Sequence, residues 1–203
     1  MLPKRIVAIG ASIVLGRVDP EHGGFIGRLK TWHEKKFIAN VVFNLGISSE
    51  TSAMLLKRLY LEASIRKPDL MIISIGLNDL KRSRYTHRPV TSIKKFSQNI
   101  RGIIRQSKKL CNIIFVSITP VDERKIDGIK KIKYFRLLDD VKKYSDITKK
   151  ICTEEKIPYL DIMNQWLVTN YQKFLFKDGV HPNSLGHDDI YRKLISFLKK
   201  YCS

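Results

Sequence analysis

Four short fragments of the sequence carry side chains that together can perform acyl transfer. They are Gly10-Ala11-Ser12, Asn44-Leu45-Gly46, Gly76-Leu77-Asn78-Asp79 and Asp178-Gly179-Val180-His181-Pro182. A serine hydroxyl becomes an effective nucleophile when a histidine removes its proton and a carboxylate holds the other ring nitrogen of that histidine. Ser12, His181 and Asp178 supply these groups, and Asp178 comes three residues before His181.

The same fragments offer hydrogen-bond donors for the oxyanion of a tetrahedral intermediate. The candidates are the backbone N–H groups of Ser12 and Gly46 and the side-chain amide of Asn78. Taken singly, each fragment has an ordinary explanation, because Gly, Asn, Asp and Ser are common in turns. Asp79 is expected to fix the turn beside Asn78. The combination of all four fragments favours a serine hydrolase.

Apolar periodicity predicts strands and helices that alternate along the chain. We predict strands over residues 5–10, 41–45, 69–76, 112–119 and 158–162. We predict helices over residues 24–37, from the cap residues 48–51 to about 66, over 91–110, up to about 155, and after 184. Because parallel neighbours need crossover connections, this order indicates one doubly wound, flavodoxin-like α/β domain, a five-stranded parallel sheet with helices on both faces. We see no repeat, linker or second domain within 1–203.

Ligands of such sheets bind beyond the carboxyl ends of the strands. Ser12, Gly46 and Asn78 each follow one of the first three predicted strands. We therefore expect these three residues to lie at the same edge of the sheet.

At this point the sequence resembles the SGNH hydrolases, also called GDSL esterases/lipases. The resemblance runs from about residue 5 to 200, and its blocks stand in the family's order. It implies that Ser12 is the nucleophile, that Gly46 and Asn78 contribute to the oxyanion hole, and that Asp178 and His181 complete the triad. Ala11 is the departure, because the family usually has Asp there. That change leaves the triad residues in place and concerns how firmly the nucleophile loop is held.

The resemblance implies hydrolysis of a carboxylic ester or thioester through an acyl-enzyme on Ser12, without a cofactor. Its implied substrates are short-chain acyl esters, acetylated sugars, acyl-CoA thioesters and lysophospholipids. Competing motifs are absent: residues 10–16 lack the glycines of a dinucleotide site and the Gly-Lys-Ser/Thr of a phosphate loop. The histidines form no H-x-x-x-H or Cys/His cluster, so we expect no metal site.

The charge of the chain points to negatively charged partners. There are 38 Lys+Arg against 19 Asp+Glu, a net of +19, and residues 51–110 alone contribute +11. Because the basic stretch 81–88 follows Asn78, we predict that Arg82, Arg84 and Arg88 lie at the rim of the site and attract an anionic group of the substrate. The charge leaves open a solvated surface, and also a nucleic-acid-binding protein that uses residues 51–110.

A third interpretation is a ligand-binding protein of the same fold without turnover, which Ala11 alone suggests.

The first residues show no long apolar signal segment, and no apolar run approaches the ~20 residues needed to cross a bilayer, so the expected location is the cytoplasm. Cys111, Cys152 and Cys202 are widely spaced and predict unpaired structural thiols. The sequence leaves both a monomer and a homodimer open.

Overall fold

The computed structural model describes residues 3–127 and 133–201. Its strands are β1 Arg5–Gly10, β2 Val41–Gly46, β3 Leu70–Ser74, β4 Arg82–Ser83, β5 Asn112–Val116, β6 Tyr134–Phe135 and β7 Tyr159–Leu160. Its α-helices are α1 Ser12–Leu15, α2 Gly24–Glu34, α3 Ser52–Ser64, α4 Ile93–Ser107, α5 Glu123–Asp127, α6 Leu138–Glu154, α7 Ile162–Leu167 and α8 Ser184–Tyr201, and a 3-10 turn spans Tyr171–Phe174. Within these residues, none of the helices has the length and hydropathy of a membrane-spanning segment.

Five strands pair in parallel in the order β2-β1-β3-β5-β7, which confirms the predicted doubly wound sheet. β3 is buried along its whole length, as its uniformly apolar sequence predicts for a strand covered on both faces. The strand order reverses between β1 and β3, and doubly wound sheets bind ligands beside such a reversal. The residues that follow β1 and β3 therefore face a natural binding site.

The helices pack in groups around this sheet. α2 packs against α8, whereas α3 packs against α4 and α4 against α6. The predicted cap of α3 is found at Thr51, whose hydroxyl accepts from the N–H of Met54 at 3.4 Å. Such a bond satisfies one of the free N–H groups at a helix start. The observed helices are mostly shorter at their ends than the apolar pattern predicts, as is usual for element boundaries.

The end of β1 approaches β3 so closely that only glycine fits at residue 10. Gly10 has a φ of +153°, and a Cβ there would stand 2.0 Å from the carbonyl oxygen of Ser74. The chain turns directly from this glycine into α1, whose first residue is Ser12. The Gly-x-Ser fragment thus places Ser12 at the carboxyl edge of the sheet.

The short antiparallel pair of β4 and β6 was not anticipated from the sequence. Arg82 pairs with Phe135 and Ser83 with Tyr134, so two segments about 50 residues apart lie side by side. Two-residue strands are too short to show an alternating pattern. The pairing brings the residue after β6, Arg136, to the loop that follows β3.

The described cysteines are unpaired, as predicted. Burial raises the pKa of the Cys111 and Cys152 thiols to about 12, which keeps both in the unreactive thiol form. Cys202 lies outside the described residues.

Candidate active site

Ser12, His181 and Asp178 form a continuous hydrogen-bonded chain. The Ser12 Oγ lies 2.9 Å from Nε2 of His181, and Nδ1 of the same ring lies 2.6 Å from Oδ2 of Asp178. The serine is 169 residues from the histidine in sequence, so tertiary folding alone brings these two together. A hydroxyl, an imidazole and a carboxylate in this order constitute the arrangement that activates a serine nucleophile.

The loop of Asp178 holds its carboxylate firmly in the charged form. Its Oδ1 accepts from the backbone N–H groups of Val180 at 2.9 Å and His181 at 3.0 Å. Burial by itself would raise the pKa of Asp178, but the hydrogen bonds from the His181 ring and these N–H groups outweigh it and lower the pKa to about 2. An ionised Asp178 favours the ring proton on Nδ1, which leaves Nε2 free to accept from Ser12.

Asn78 lies beside the serine with both ends of its amide engaged. Its Nδ2 donates to the carbonyl oxygen of Glu50 at 3.0 Å, and its Oδ1 accepts from Nη2 of Arg136 at 3.2 Å. The neighbouring Asp79 is fully buried and accepts from the N–H and the hydroxyl of Ser52, at 2.9 and 2.6 Å. Burial raises the pKa of the Asp79 carboxyl despite those bonds. Asp79 therefore anchors the turn to the start of α3, as predicted.

The structure corrects the expectation for Gly46. Its N–H donates to Oδ1 of Asn44 at 2.9 Å, and Gly46 does not line the pocket that contains Ser12. The glycine serves close packing instead, because a Cβ at residue 46 would stand 2.2 Å from the backbone nitrogen of Leu15. Gly46 thus lets α1 approach β2 and is not available to an oxyanion.

Ser49, three residues further on, has the properties that were expected of Gly46. It lines the pocket, and its backbone adopts the left-handed conformation with a φ of +65°. Among the described residues, no acceptor takes up its N–H. Non-glycine residues rarely adopt this conformation, and such strain concentrates at functional sites. The sequence provides only a weak indication of this role, because serine does not predict a left-handed backbone conformation as glycine does.

The pocket around Ser12 is small, with a volume of about 200 Å³. Its polar lining includes Ser12, Arg17, Ser49, Asn78, Arg136 and His181. Among residues 3–127 and 133–201, no three His, Cys, Asp or Glu side chains cluster as a metal site would require. The pocket offers a nucleophile, a base and hydrogen-bond donors.

Arg82, Arg84 and Arg88, which the sequence analysis places at the rim of the site, do not line this pocket. Arg82 forms an ion pair with Asp140, with Nε 2.5 Å from Oδ2, and the guanidinium of Arg84 lies 5.7 Å from the ring centre of Phe135. The stretch 81–88 turns away into the β4–β6 pair instead of continuing along the site. The arginines of the pocket are Arg17 and Arg136, which composition alone did not single out.

Comparison with known proteins shows the family to which the chain is related. Residues 8–188 match the family described as GDSL-like Lipase/Acylhydrolase. The chain is 27% identical to an acetylxylan esterase of Geobacillus stearothermophilus, over 91% of this chain and 89% of that protein. It is 23% identical to the GDSL esterase/lipase CPRD49 of Arabidopsis thaliana, over 97% and 79%. The solved lipase/acylhydrolase of Enterococcus faecalis superposes with a TM-score of 0.78 at 21% identity, over 97% of this chain and 96% of that one.

Proposed function

The chain belongs to the GDSL-like lipase/acylhydrolase family and is a carboxylic ester hydrolase, and we propose that it cleaves short acyl esters through an acyl-enzyme on Ser12. The observation that carries this proposal is the hydrogen-bonded chain from Ser12 through His181 to Asp178. A binding protein without turnover has no need for a serine joined to a base and a partly buried carboxylate. A nucleic-acid-binding protein has no need for it either, so neither alternative is favoured.

In the first half of the reaction, Nε2 of His181 takes the proton of Ser12 as Oγ attacks the acyl carbonyl carbon. The carbonyl oxygen becomes an oxyanion, and we assign its stabilisation to the N–H groups of Ser12 and Ser49 and to Nδ2 of Asn78. Asp178 stays ionised and stabilises the imidazolium that forms. The carbon–oxygen bond to the alcohol then breaks, and the imidazolium gives its proton to the leaving oxygen.

In the second half, a water molecule takes the place of the alcohol. His181 removes a proton from this water, and the resulting hydroxide attacks the acyl carbon of the ester on Ser12. The same donors stabilise the second oxyanion. Its collapse releases the carboxylic acid, and the proton held by His181 returns to Oγ of Ser12. The cycle consumes one ester and one water and leaves the enzyme unchanged.

The size and polarity of the pocket support a short acyl group. A volume of about 200 Å³ lies below the range of about 300–1,000 Å³ that is typical of pockets for drug-sized ligands. A long acyl chain would leave apolar surface in water. One of the relatives is named an acetylxylan esterase, and acetyl is a short acyl group. We therefore propose acetyl and similarly short esters as substrates.

We propose that an anionic group of the substrate binds to arginines other than those that the sequence suggested. Arg17 and Arg136 line the pocket, and within the described chain neither forms an ion pair with a carboxylate. Arginine without a carboxylate partner readily binds carboxylates and phosphates. We therefore expect a short acyl group that ends in a carboxylate to be accepted at least as well as its neutral counterpart.

The test is hydrolysis of p-nitrophenyl esters from acetate to decanoate, with the monoanionic succinate ester added, by wild type and Ser12→Ala. We expect a maximum at acetate or propionate in the wild type and a loss of about 10³-fold or more in the variant. Ser196→Ala, an exposed serine of α8, is the matched control and should behave as wild type.

A fluorophosphonate probe separates a narrow natural substrate from a missing nucleophile. The probe should add its phosphonyl group to Ser12 with loss of fluoride, in wild type but not in Ser12→Ala. Activity that survives in Ser12→Ala, or a wild type that neither hydrolyses any ester nor takes up the probe, would contradict the proposal.

A further inference from the structure

Arg136 is an arginine of the pocket for which triad chemistry has no role. It follows β6 and reaches the loop after β3, where Nε donates to the carbonyl oxygen of Leu77 at 3.0 Å and Nη2 donates to Oδ1 of Asn78 at 3.2 Å. Burial lowers the pKa of its guanidinium to about 10 even though the charge of Asp178 opposes this shift. The group still carries its full charge at neutral pH.

Arg136 is partly withdrawn from water, and withdrawal of a charge from water is costly unless the charge is paired and hydrogen-bonded. No carboxylate of the described residues forms an ion pair with Arg136. Its two visible bonds go to the backbone and side chain of consecutive residues, Leu77 and Asn78. The charge is therefore directed at the segment that carries the candidate oxyanion donor.

The orientation of an asparagine amide determines whether it helps or hinders an oxyanion. The two ends of the amide have almost the same shape, but Nδ2 donates and Oδ1 only accepts. A flipped Asn78 would turn its negative end toward the oxyanion. A guanidinium can only donate and a carbonyl oxygen can only accept, so Arg136 at one end and the Glu50 carbonyl at the other permit the same single orientation.

We propose that Arg136 is a positioning residue of the oxyanion hole. It holds the Asn78 amide so that one Nδ2 hydrogen bonds to the Glu50 carbonyl and the second is available to the acyl carbonyl. This inference rests on the proposed ester hydrolysis. The bond from a cation to Oδ1 also draws electron density from the amide, so the Nδ2 hydrogens become stronger donors. Arg136 thus favours the transition state more than the bound ester, because the donor matters most when the carbonyl oxygen carries charge.

A purely structural role for Arg136 is less consistent with the surrounding contacts. The β4–β6 segment is already secured by the ion pair between Arg82 and Asp140 and by a bond from the N–H of Arg84 to the carbonyl oxygen of Lys133 at 3.0 Å. Neither contact involves the pocket. Removal of the Arg136 side chain is therefore expected to affect kcat more than folding.

The experiment is a double-mutant cycle between Arg136→Met and Asn78→Ala on p-nitrophenyl acetate, with the rate of Ser12→Ala subtracted. Loss of one oxyanion donor costs about 10²–10³ in rate, so a misplaced donor should cost about 10- to 100-fold in kcat. We expect KM to stay within about 3-fold, and Arg136→Met to add less than about 3-fold to the loss in Asn78→Ala. Arg105→Met, which removes an exposed charge on α4, is the control and should retain wild-type kcat.

Three results would overturn the inference: an equal loss of kcat from Arg136→Met in the wild type and in Asn78→Ala, an unchanged kcat, or a change in KM alone. If thermal melting shows that Arg136→Met does not fold, Arg136→Lys replaces it, because lysine keeps the charge and one donor and should give a smaller loss with the same dependence on Asn78. A wild type no faster than Ser12→Ala contradicts the proposed function itself. Turnover that requires Ser12 but is unchanged in Arg136→Met contradicts only this inference.

Discussion

Single residues decide whether the serine can react, and Asp178 shows this most clearly. Its carboxylate has one oxygen on the His181 ring and the other on two backbone N–H groups. Every one of these bonds favours the ionised form, which is why its pKa falls to about 2 although burial opposes the shift. Asp178 therefore remains ionised in mild acid and favours the tautomer of the neutral His181 ring that can accept the proton of Ser12.

Asp178→Asn tests this role without changing the shape of the side chain. An amide can present its N–H to Nδ1 of His181, which moves the ring proton to Nε2 and prevents the ring from accepting from Ser12. Triad enzymes lose about 10⁴-fold in kcat from such a change, and we expect a comparable loss of p-nitrophenyl acetate turnover. Asp139→Asn, an 80% exposed carboxylate on α6, is the control. A variant that keeps more than a tenth of wild-type kcat would contradict the assignment.

At the scale of secondary-structure elements, α1 carries the nucleophile and has no side-chain cap. It has four residues, and Ala11 at its N-cap makes no side-chain hydrogen bond. Its position depends instead on Gly46, which lets it approach β2, and on the Nδ2 of Asn44, which donates to the carbonyl oxygen of Val14 at 2.9 Å. The family's usual Asp at residue 11 would offer an acceptor that Ala11 lacks.

Ala11→Asp is therefore expected to stabilise α1. The backbone of Ala11 is extended, as an N-cap requires, and a good cap contributes about 1 kcal/mol, which for a domain of this size raises the melting temperature by about 2–4 °C. A firmer α1 should also raise kcat on p-nitrophenyl acetate severalfold. Ala11→Asn is the matched variant because it supplies the cap without a charge. Lower melting temperatures in both variants would show that the nearly buried position has no room for a cap.

For the molecule as a whole, His187 connects the two ends of the chain. It lies on α8 and is fully buried, and its Nδ1 accepts from the N–H of Phe25 at 3.2 Å while Nε2 is 3.3 Å from the carbonyl oxygen of Arg17. Burial lowers the pKa of His187 to about 4, although the Arg17 carbonyl opposes the shift. The neutral ring thus joins α8 to α2 and to the loop after the nucleophile helix.

This buried histidine predicts a loss of stability in mild acid. The pKa is about 6.5 in the unfolded chain and about 4 in the folded one, so the unfolded state binds the proton more strongly. The contribution is complete above pH ~6.5 and is lost as the pH falls toward ~4. The difference between a pKa of about 6.5 and one of about 4 corresponds to about 3 kcal/mol in the free energy of unfolding.

Urea unfolding at pH 7 and pH 4.5 measures this contribution. The wild type should lose a large part of this contribution to the free energy of unfolding between pH 7 and pH 4.5. His187→Gln should be less stable at pH 7 but should change less with pH, because the glutamine side chain does not titrate. His22→Gln, an exposed histidine, should keep the wild-type slope. An equal slope in all three proteins would show that His187 does not cause the acid sensitivity.

Much of the fold and most of the candidate site could be predicted from the sequence alone. Alternating apolar segments indicated the parallel sheet, because each segment's periodicity depends on its own residues and on which face is buried. The reactive residues were found because each stands in a short local pattern, such as Asp178 three residues before His181. The grouping of Ser12 with His181 followed from the chemistry that a serine nucleophile requires and from the family resemblance. The order of the strands predicted only that Ser12, Gly46 and Asn78 lie at one edge of the sheet.

The remaining features depended on contacts between distant segments, which no local pattern encodes. Gly46 ends β2 and Ser49 lies in the loop that follows, and only the tertiary structure shows that the N–H of Ser49 is the one left without an acceptor in the described chain. Arg136 stands 58 residues from Asn78, and Arg82 stands 58 residues from Asp140. The number of arginines in a sequence does not say where their side chains lie. Only the tertiary structure therefore decided which arginine faces the reactive serine and which forms an ion pair away from it.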